Sequence, residues 1–145
     1  MLPIKVKKLR ADAVLPTYES QYAAGADLHA CMDAAVTVEP GQTQFIPTGL
    51  SMEIPVGCVG LIYARSGLAC KKGLAPANKV GVIDSDYRGE FMVALYNHGS
   101  ISQTVTPGDR IAQLVIAPVF TPGFYEVNEL SDTQRASGGF GSTGK

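Results

Sequence analysis

Short runs of apolar and β-branched residues recur along the chain, and turn residues separate them. Pairs such as Pro40-Gly41 and Pro107-Gly108 lie between the runs. Runs of this length between Gly and Pro turns are typical of β-strands in a sandwich or barrel. The pattern therefore predicts an all-β fold with eight strands, at residues 4–9, 36–38, 43–46, 50–54, 59–64, 79–83, 91–96 and 111–119.

One segment carries the signals of a short helix. Ser66 is a suitable N-cap, Lys71 and Lys72 suit the C-terminal end of the helix dipole, and Gly73 can end the helix. After Val127 the apolar pattern fades into a stretch rich in Gly and Ser. We expect a β domain over 1–130 and a mobile C-terminal arm over 131–145.

Composition excludes several function classes. The chain has 145 residues, 46% of them hydrophobic, which is enough for one domain with a core of its own. The net charge of −1 gives no global field that would attract nucleic acid or an anionic membrane, so a phosphate site must be built locally. No apolar run reaches the roughly 18 residues of a membrane span. We expect a soluble cytoplasmic protein without nucleic-acid or membrane partners.

Three cysteines form an odd set without a close Cys pair, which favours reduced thiols. His29 and Cys31 could supply two zinc ligands. The second pair of ligands that a zinc site needs is not evident, so buried or surface thiols are favoured over a metal site.

Two segments combine a polar group with a strand or a helix start. In the first, Asp27 lies between small and apolar residues. The segment could be a structural strand in which the Asp27 carboxylate has hydrogen-bond partners, or it could be part of a functional site. In the second, residues 63–68 run from a strand into the helix start. Arg65, Ser66 and Gly67 there could bind an anion with free backbone N–H groups. An ordinary helix cap with a surface arginine is the alternative.

Two further segments have both a structural and a functional interpretation. Residues 78–90 predict a hairpin whose backbone could pair with a flat base edge, although charged hairpin turns are common in β proteins. Residues 108–115 form a turn and an apolar strand that contains Gln113. This glutamine needs a partner if it is buried, whether or not it has a function.

The fifth segment is the tail at 135–144. Arg135 could neutralise phosphates there, and Phe140 could stack on a base, while a disordered linker is the alternative. The spacing from Gly139 to Lys145 also matches a phosphate-binding P-loop. No Ser or Thr follows that lysine in the sequence and no β-α-β pattern precedes it, so the P-loop interpretation fails.

Taken in order, the five segments resemble the five motifs of the trimeric dUTPase family, from about residue 23 to residue 144. The resemblance implies a β jelly roll assembled as a homotrimer, with each active site built from more than one subunit. It implies hydrolysis of dUTP to dUMP and pyrophosphate with Mg²⁺, which limits uracil incorporation into DNA and supplies dUMP for dTMP synthesis.

The resemblance also implies a role for each matching residue. Asp84 matches the aspartate that orients the water attacking the α-phosphorus, and Tyr87 matches the tyrosine that excludes a ribose 2′-hydroxyl. Asp27 matches an acid that reaches magnesium through water. The remaining matches bind substrate: Asn78, Val82, Ile83 and Met92 hold the nucleoside, Arg65, Ser66, Gly67 and Gln113 the phosphates, and Arg135, Phe140, Gly141, Ser142 and Thr143 form the closing arm.

Two positions depart from the family pattern. Ala64 stands where proline is frequent, and Ala136 stands where glycine is frequent beside the arginine of the arm. Two rival functions remain at this point: a dCTP deaminase, which uses a glutamate in the hairpin where this chain has Asp84 and Tyr87, and a non-catalytic β module that binds nucleotide or protein.

Overall fold

The computed structural model describes residues 3–139, which form eleven strands and one short helix. The strands are β1 (Lys5–Lys8), β2 (Ala26–His29), β3 (Val36–Val38), β4 (Thr43–Pro47), β5 (Leu50–Glu53), β6 (Cys58–Tyr63), β7 (Leu74–Pro76), β8 (Gly81–Ile83), β9 (Met92–Asn97), β10 (Gln103–Val105) and β11 (Arg110–Pro118), and α1 spans Ser66–Lys72. The all-β prediction with one short helix is confirmed. Within 3–139 no helix is long and apolar enough to cross a membrane.

The strands pair antiparallel in two larger sheets and two two-stranded ladders. One sheet has the order β2-β11-β6-β8 and the other β4-β9-β7, while β1 pairs with β5 and β3 with β10. Alternate residues of the strands face inward and form one apolar core, which gives the jelly-roll-like architecture its stability. The fully buried side chains at its centre include Leu28, Ile46, Leu50, Phe91 and Ile111.

The helix end is confirmed and the helix start is corrected. Gly73 lies at the C-cap with φ 68°, a left-handed conformation that glycine adopts without a Cβ clash. The N-cap is Arg65 instead of Ser66, and its side chain makes no capping hydrogen bond. Arg65 keeps the extended backbone of the strand before it, so its own carbonyl accepts the first helical bonds, from Leu68 and Ala69. Ser66 is therefore the first helical residue.

The predicted hairpin at 78–90 is wrong. β8 pairs with β6 in the four-stranded sheet, whereas β9 pairs with β4 and β7 in the other sheet. The segment between them crosses from one sheet to the other and is bound on the way by β5 and by Gly49, which directly precedes β5. Ser51 Oγ donates to the Arg88 carbonyl at 2.8 Å, and Glu90 Oε1 accepts from the Gly49 N–H at 2.7 Å.

The chain leaves the core after β11. Residues 119–130 contain no strand or helix, and their large apolar side chains are exposed. Phe120, Phe124, Tyr125 and Leu130 are 86–97% exposed. Several large apolar side chains exposed in one short segment are typical of an interaction surface. We name residues 119–130 the extended segment.

A local turn follows the extended segment. Arg135 Nε donates to the Gly138 carbonyl at 2.8 Å, and the Ala136 N–H donates to the Thr133 carbonyl at 3.1 Å. Ala136 has φ 43°, in the left-handed region that costs an L-residue roughly 1–2 kcal/mol. The arm was expected at 131–145, and its residues Phe140, Gly141, Ser142 and Thr143 lie outside the described part.

Candidate active site

One cavity brings together the five residues expected to hold the nucleoside or discriminate its sugar and Asp84, which was expected to orient the water that attacks the α-phosphorus. Its volume is about 410 Å³. The six residues in its lining are Asn78, Val82, Ile83, Asp84, Tyr87 and Met92. We name it the nucleoside cavity. Phe45 also lines it and is 68% exposed; this residue was missed because its run predicted only a structural strand.

The backbone of β8 forms one wall of the nucleoside cavity. β8 is the edge strand of its sheet, so part of its N–H and C=O groups has no partner in the ladder. Gly81 lets Asn78 approach closely, because a Cβ at Gly81 would lie 3.3 Å from Asn78 Nδ2. An edge strand beside an amide side chain can pair with the polar edge of a planar ring as a neighbouring strand would.

The ring of Tyr87 is held in place from three sides. Its hydroxyl donates to the Glu90 carbonyl at 2.9 Å, and its ring centroid lies 6.0 Å from that of the buried Phe91. Gly89 lies against it so closely that a Cβ there would be 2.3 Å from the hydroxyl oxygen. A ring fixed in this way forms a rigid wall of the nucleoside cavity.

Three acids lie near this wall, and the structure gives them different surroundings. Asp84 directly follows β8, is exposed and lines the cavity. Glu90 lines it too, but its carboxylate accepts a hydrogen bond from the Gly49 N–H. Asp86 is outside the lining as far as residues 3–139 define it. Asp84 is thus the acid best placed to meet a water molecule inside the cavity.

A second cavity of about 230 Å³ brings together the residues expected at the phosphates. They are Asp27, Arg65, Ser66, Gly67 and Gln113, with Glu19, Ala23 and Gly25 completing the lining. We name it the phosphate cavity. The Arg65 guanidinium, the helix start and the Ser66 hydroxyl concentrate donors there in a chain of net charge −1. It has no lining residue in common with the nucleoside cavity.

Asp27 lies within β2 and is 5% exposed. Its Oδ1 accepts from Arg65 Nε at 2.8 Å and its Oδ2 from Arg110 Nη1 at 3.2 Å. The same Nη1 lies 2.8 Å from Glu19 Oε1. Sequence reasoning missed both Arg110 and Glu19. Arg110 lies three residues before Gln113 in a segment that had been singled out, whereas no pattern marked Glu19.

Gln113 has its partner in the backbone. Its Nε2 donates to the Ala64 carbonyl at 2.9 Å, directly before Arg65. Gly25 packs against it, since a Cβ there would lie 2.6 Å from Gln113 Oε1. Gln113 therefore ties β11 to the end of β6 as well as lining the phosphate cavity.

The residues present fit a magnesium ion that is held mainly by a substrate. Within residues 3–139 no group of three or more His, Cys, Asp or Glu side chains could enclose a metal. Both oxygens of Asp27 accept from arginines, yet each carboxylate oxygen has a second lone pair for a metal-bound water. Mg²⁺ commonly binds through substrate phosphates and retained waters, so contact with Asp27 through water is compatible with this geometry.

Comparison with known proteins gives consistent matches. The sequence model of the dUTPase family matches residues 11–144. The deoxyuridine 5′-triphosphate nucleotidohydrolases of Syntrophotalea carbinolica and Desulfitobacterium hafniense are 51% and 53% identical, each over 99% of this chain and 97% of the relative. The solved structure of Staphylococcus bacteriophage 80alpha dUTPase with dUpNHpp superposes with a TM-score of 0.92 at 29% identity, covering 100% of both chains. A phage phi11 dUTPase structure that shows coordination of a structural Mg(II) ion has a TM-score of 0.82 at 26% identity, over 90% of this chain and 100% of that chain.

Proposed function

Because this chain belongs to the dUTPase family, we propose that it hydrolyses dUTP to dUMP and pyrophosphate with Mg²⁺. The observation that carries the proposal is the nucleoside cavity, where the edge backbone of β8, the fixed ring of Tyr87 and the carboxylate of Asp84 line one space. The β8 backbone and the Tyr87 ring would select the nucleobase and the sugar. The Asp84 carboxylate would act as the general base that accepts a proton during hydrolysis.

The chemical step that we propose is attack of water on the α-phosphorus. Asp84 accepts a proton from the water as the new bond from oxygen to phosphorus forms. The bond from the α-phosphorus to the bridging oxygen of the β-phosphate breaks, and pyrophosphate leaves. Glu90 is a poorer base because the Gly49 N–H already donates to its carboxylate, and hydrogen bonding to the charged form favours ionisation over proton uptake.

The phosphate cavity is the proposed site of the triphosphate. Arg65, Ser66 and Gly67 supply a guanidinium, a hydroxyl and the backbone N–H groups of a helix start. We propose that Arg135 adds a second positive charge when the arm covers the nucleotide. Bound Mg²⁺ would neutralise further phosphate charge, with Asp27 in contact through water.

We also propose a homotrimer with shared active sites. Two observations support it: one chain presents the nucleoside and phosphate cavities as separate spaces, and the extended segment exposes four large apolar side chains. Contact between copies would cover those side chains and bring complementary cavities together. Light scattering should therefore give three times the chain mass of 15.3 kDa, and the mass of a single chain would contradict the assembly.

Substrate selectivity is the direct test of the proposed function. Purified protein and Mg²⁺ are incubated separately with dUTP, UTP, dTTP and dCTP, and the products are identified. We expect dUMP and pyrophosphate from dUTP, and far slower turnover of the others. The 2′-hydroxyl of UTP would meet the fixed ring of Tyr87. The 5-methyl group of dTTP and the 4-amino group of dCTP would not match the backbone groups of the cavity wall.

The same assay separates the rival functions. Comparable rates with UTP and dUTP would contradict the role of Tyr87. Ammonia released from dCTP would indicate a deaminase, and tight binding of nucleotide without any product would indicate a non-catalytic module. Phosphate release in place of pyrophosphate would show attack at the wrong phosphorus.

A further inference from the structure

Four side chains of alternating charge form a row at the phosphate cavity, and three of them, Glu19, Asp27 and Arg65, line it. Glu19 contacts Arg110 at 2.8 Å, Arg110 contacts Asp27 at 3.2 Å, and Asp27 contacts Arg65 at 2.8 Å. The row joins the loop before β2, the start of β11, the middle of β2 and the N-cap of α1. Arg65 and Arg110, which lie far apart in sequence, therefore both contact the carboxylate of Asp27.

We propose that Arg110 is a positioning residue that aligns Arg65 for the triphosphate by fixing the carboxylate of Asp27, an inference that rests on the proposed function. Asp27 is buried, and each of its oxygens has a different arginine as donor. A carboxylate held at both oxygens has one orientation. The direction of the Arg65 guanidinium depends on that orientation, because Arg65 Nε donates to it.

The contact through Nε decides what Arg65 can offer a ligand. A guanidinium has five N–H donors in a rigid plane. Among residues 3–139, the Arg65 side chain donates a hydrogen bond only through Nε, to Asp27. Its two terminal amino groups are therefore left for the oxygens of a phosphate in the cavity that Arg65 lines.

Arg110 is placed to act through Asp27 rather than on a ligand in that cavity. It is absent from the described lining of the phosphate cavity, to which its partners Glu19, Asp27 and Arg65 all belong. It lines instead an adjoining cavity of about 270 Å³ that shares Arg65 and Gly67 with the phosphate cavity. Its Nη1 is engaged by Asp27 and Glu19 together, and the hydrogen bond with Glu19 is the main cause that raises the pKa of Arg110. The pairing of β11 with β2 also fixes the backbone position of Arg110, which lies opposite His29 at a β-bulge.

The test measures affinity for an α,β-imido analogue of dUTP in Arg110→Gln, Arg65→Gln and the double variant. We expect Arg110→Gln to weaken affinity for the analogue about tenfold to a hundredfold, the usual effect of a lost charge-assisted hydrogen bond. Affinity for deoxyuridine, which has no phosphate, should stay unchanged. The double variant should bind the analogue no more weakly than Arg65→Gln alone, because Arg110 acts through Arg65.

Two further variants serve as controls for the binding measurements. Arg110→Lys keeps the positive charge beside Asp27 and should lose less affinity, which keeps the test valid if Arg110→Gln does not fold. Arg10→Gln is the matched control, since Arg10 also binds two carboxylates, those of Asp12 and Asp33, away from both cavities. It should bind the analogue like the parent protein.

Additive losses in the double variant would overturn the positioning role and make Arg110 an independent ligand contact. Equal losses for the analogue and deoxyuridine would overturn it too, because they indicate general damage. Pyrophosphate release by the parent protein is measured in parallel. Its absence would contradict the proposed function, while the binding series would still decide whether Arg110 aligns Arg65.

Discussion

Replacing Asp84 by asparagine should leave the nucleotide bound and reduce kcat about 10²–10⁴-fold, the usual contribution of a general base. The amide has nearly the same shape as the carboxylate, so the nucleoside cavity keeps its walls, but it cannot accept the proton of the attacking water. Steady-state release of pyrophosphate measures the rate. Binding of the imido analogue shows separately that the nucleotide site survives.

Asp86→Asn is the matched control for this prediction. Asp86 carries the same charge two residues away, in the same crossing segment, and does not line the nucleoside cavity as described. We expect its kcat to stay within about threefold of the parent value, as for a surface substitution remote from the chemistry. Equal losses in the two variants would show that the assignment of the base to Asp84 is wrong.

A chain that ends at Gln134 should keep its melting temperature and its assembly mass but lose most of its activity. From Arg135 to Gly139 the described hydrogen bonds are local to the turn at 133–138, so their removal uncovers no core residue. The truncation removes Arg135, the glycine backbone donors and Phe140 together. Calorimetry, light scattering and pyrophosphate release measure the three quantities.

Phe140→Ala isolates one part of the arm. Stacking of a base on an aromatic ring is worth about 1–3 kcal/mol, so we expect a loss of roughly five- to 150-fold in kcat/KM. A chain that lacks only Lys145 is the control, because the family resemblance ends at Gly144. Full activity of the chain ending at Gln134 would refute a role for the arm.

Local sequence patterns predicted much of the fold because strand and helix ends depend on the conformational preferences of nearby residues. Gly73 ends α1 as expected, since the left-handed conformation at that position favours glycine. The longer apolar runs all contain strands, with ends that differ by one or two residues in most cases. β7 (Leu74–Pro76) contains a proline and β10 (Gln103–Val105) begins with a polar residue, so neither was marked by an apolar run, whereas the equally short β3 was marked by its two valines.

Contacts between distant residues were the part that local patterns could not supply. The crossing of 84–91 between sheets depends on Glu90 and Gly49, which lie 41 positions apart. The row at the phosphate cavity depends on Asp27 and Arg110, which lie 83 positions apart. The resemblance implied that Asp27 reaches magnesium through water, and the structure adds that its hydrogen-bond partners are two arginines.

The extended segment has a thermodynamic consequence for a shared-site trimer. When three copies cover one another's exposed aromatic rings, the free energy of folding includes an association term that depends on protein concentration. Dilution of the proposed trimer would remove activity and stability together, because a dissociated chain would have only separate cavities and uncovered rings. Specific activity would fall steeply below a threshold concentration, so the amount of enzyme in a cell would act as a control on its turnover.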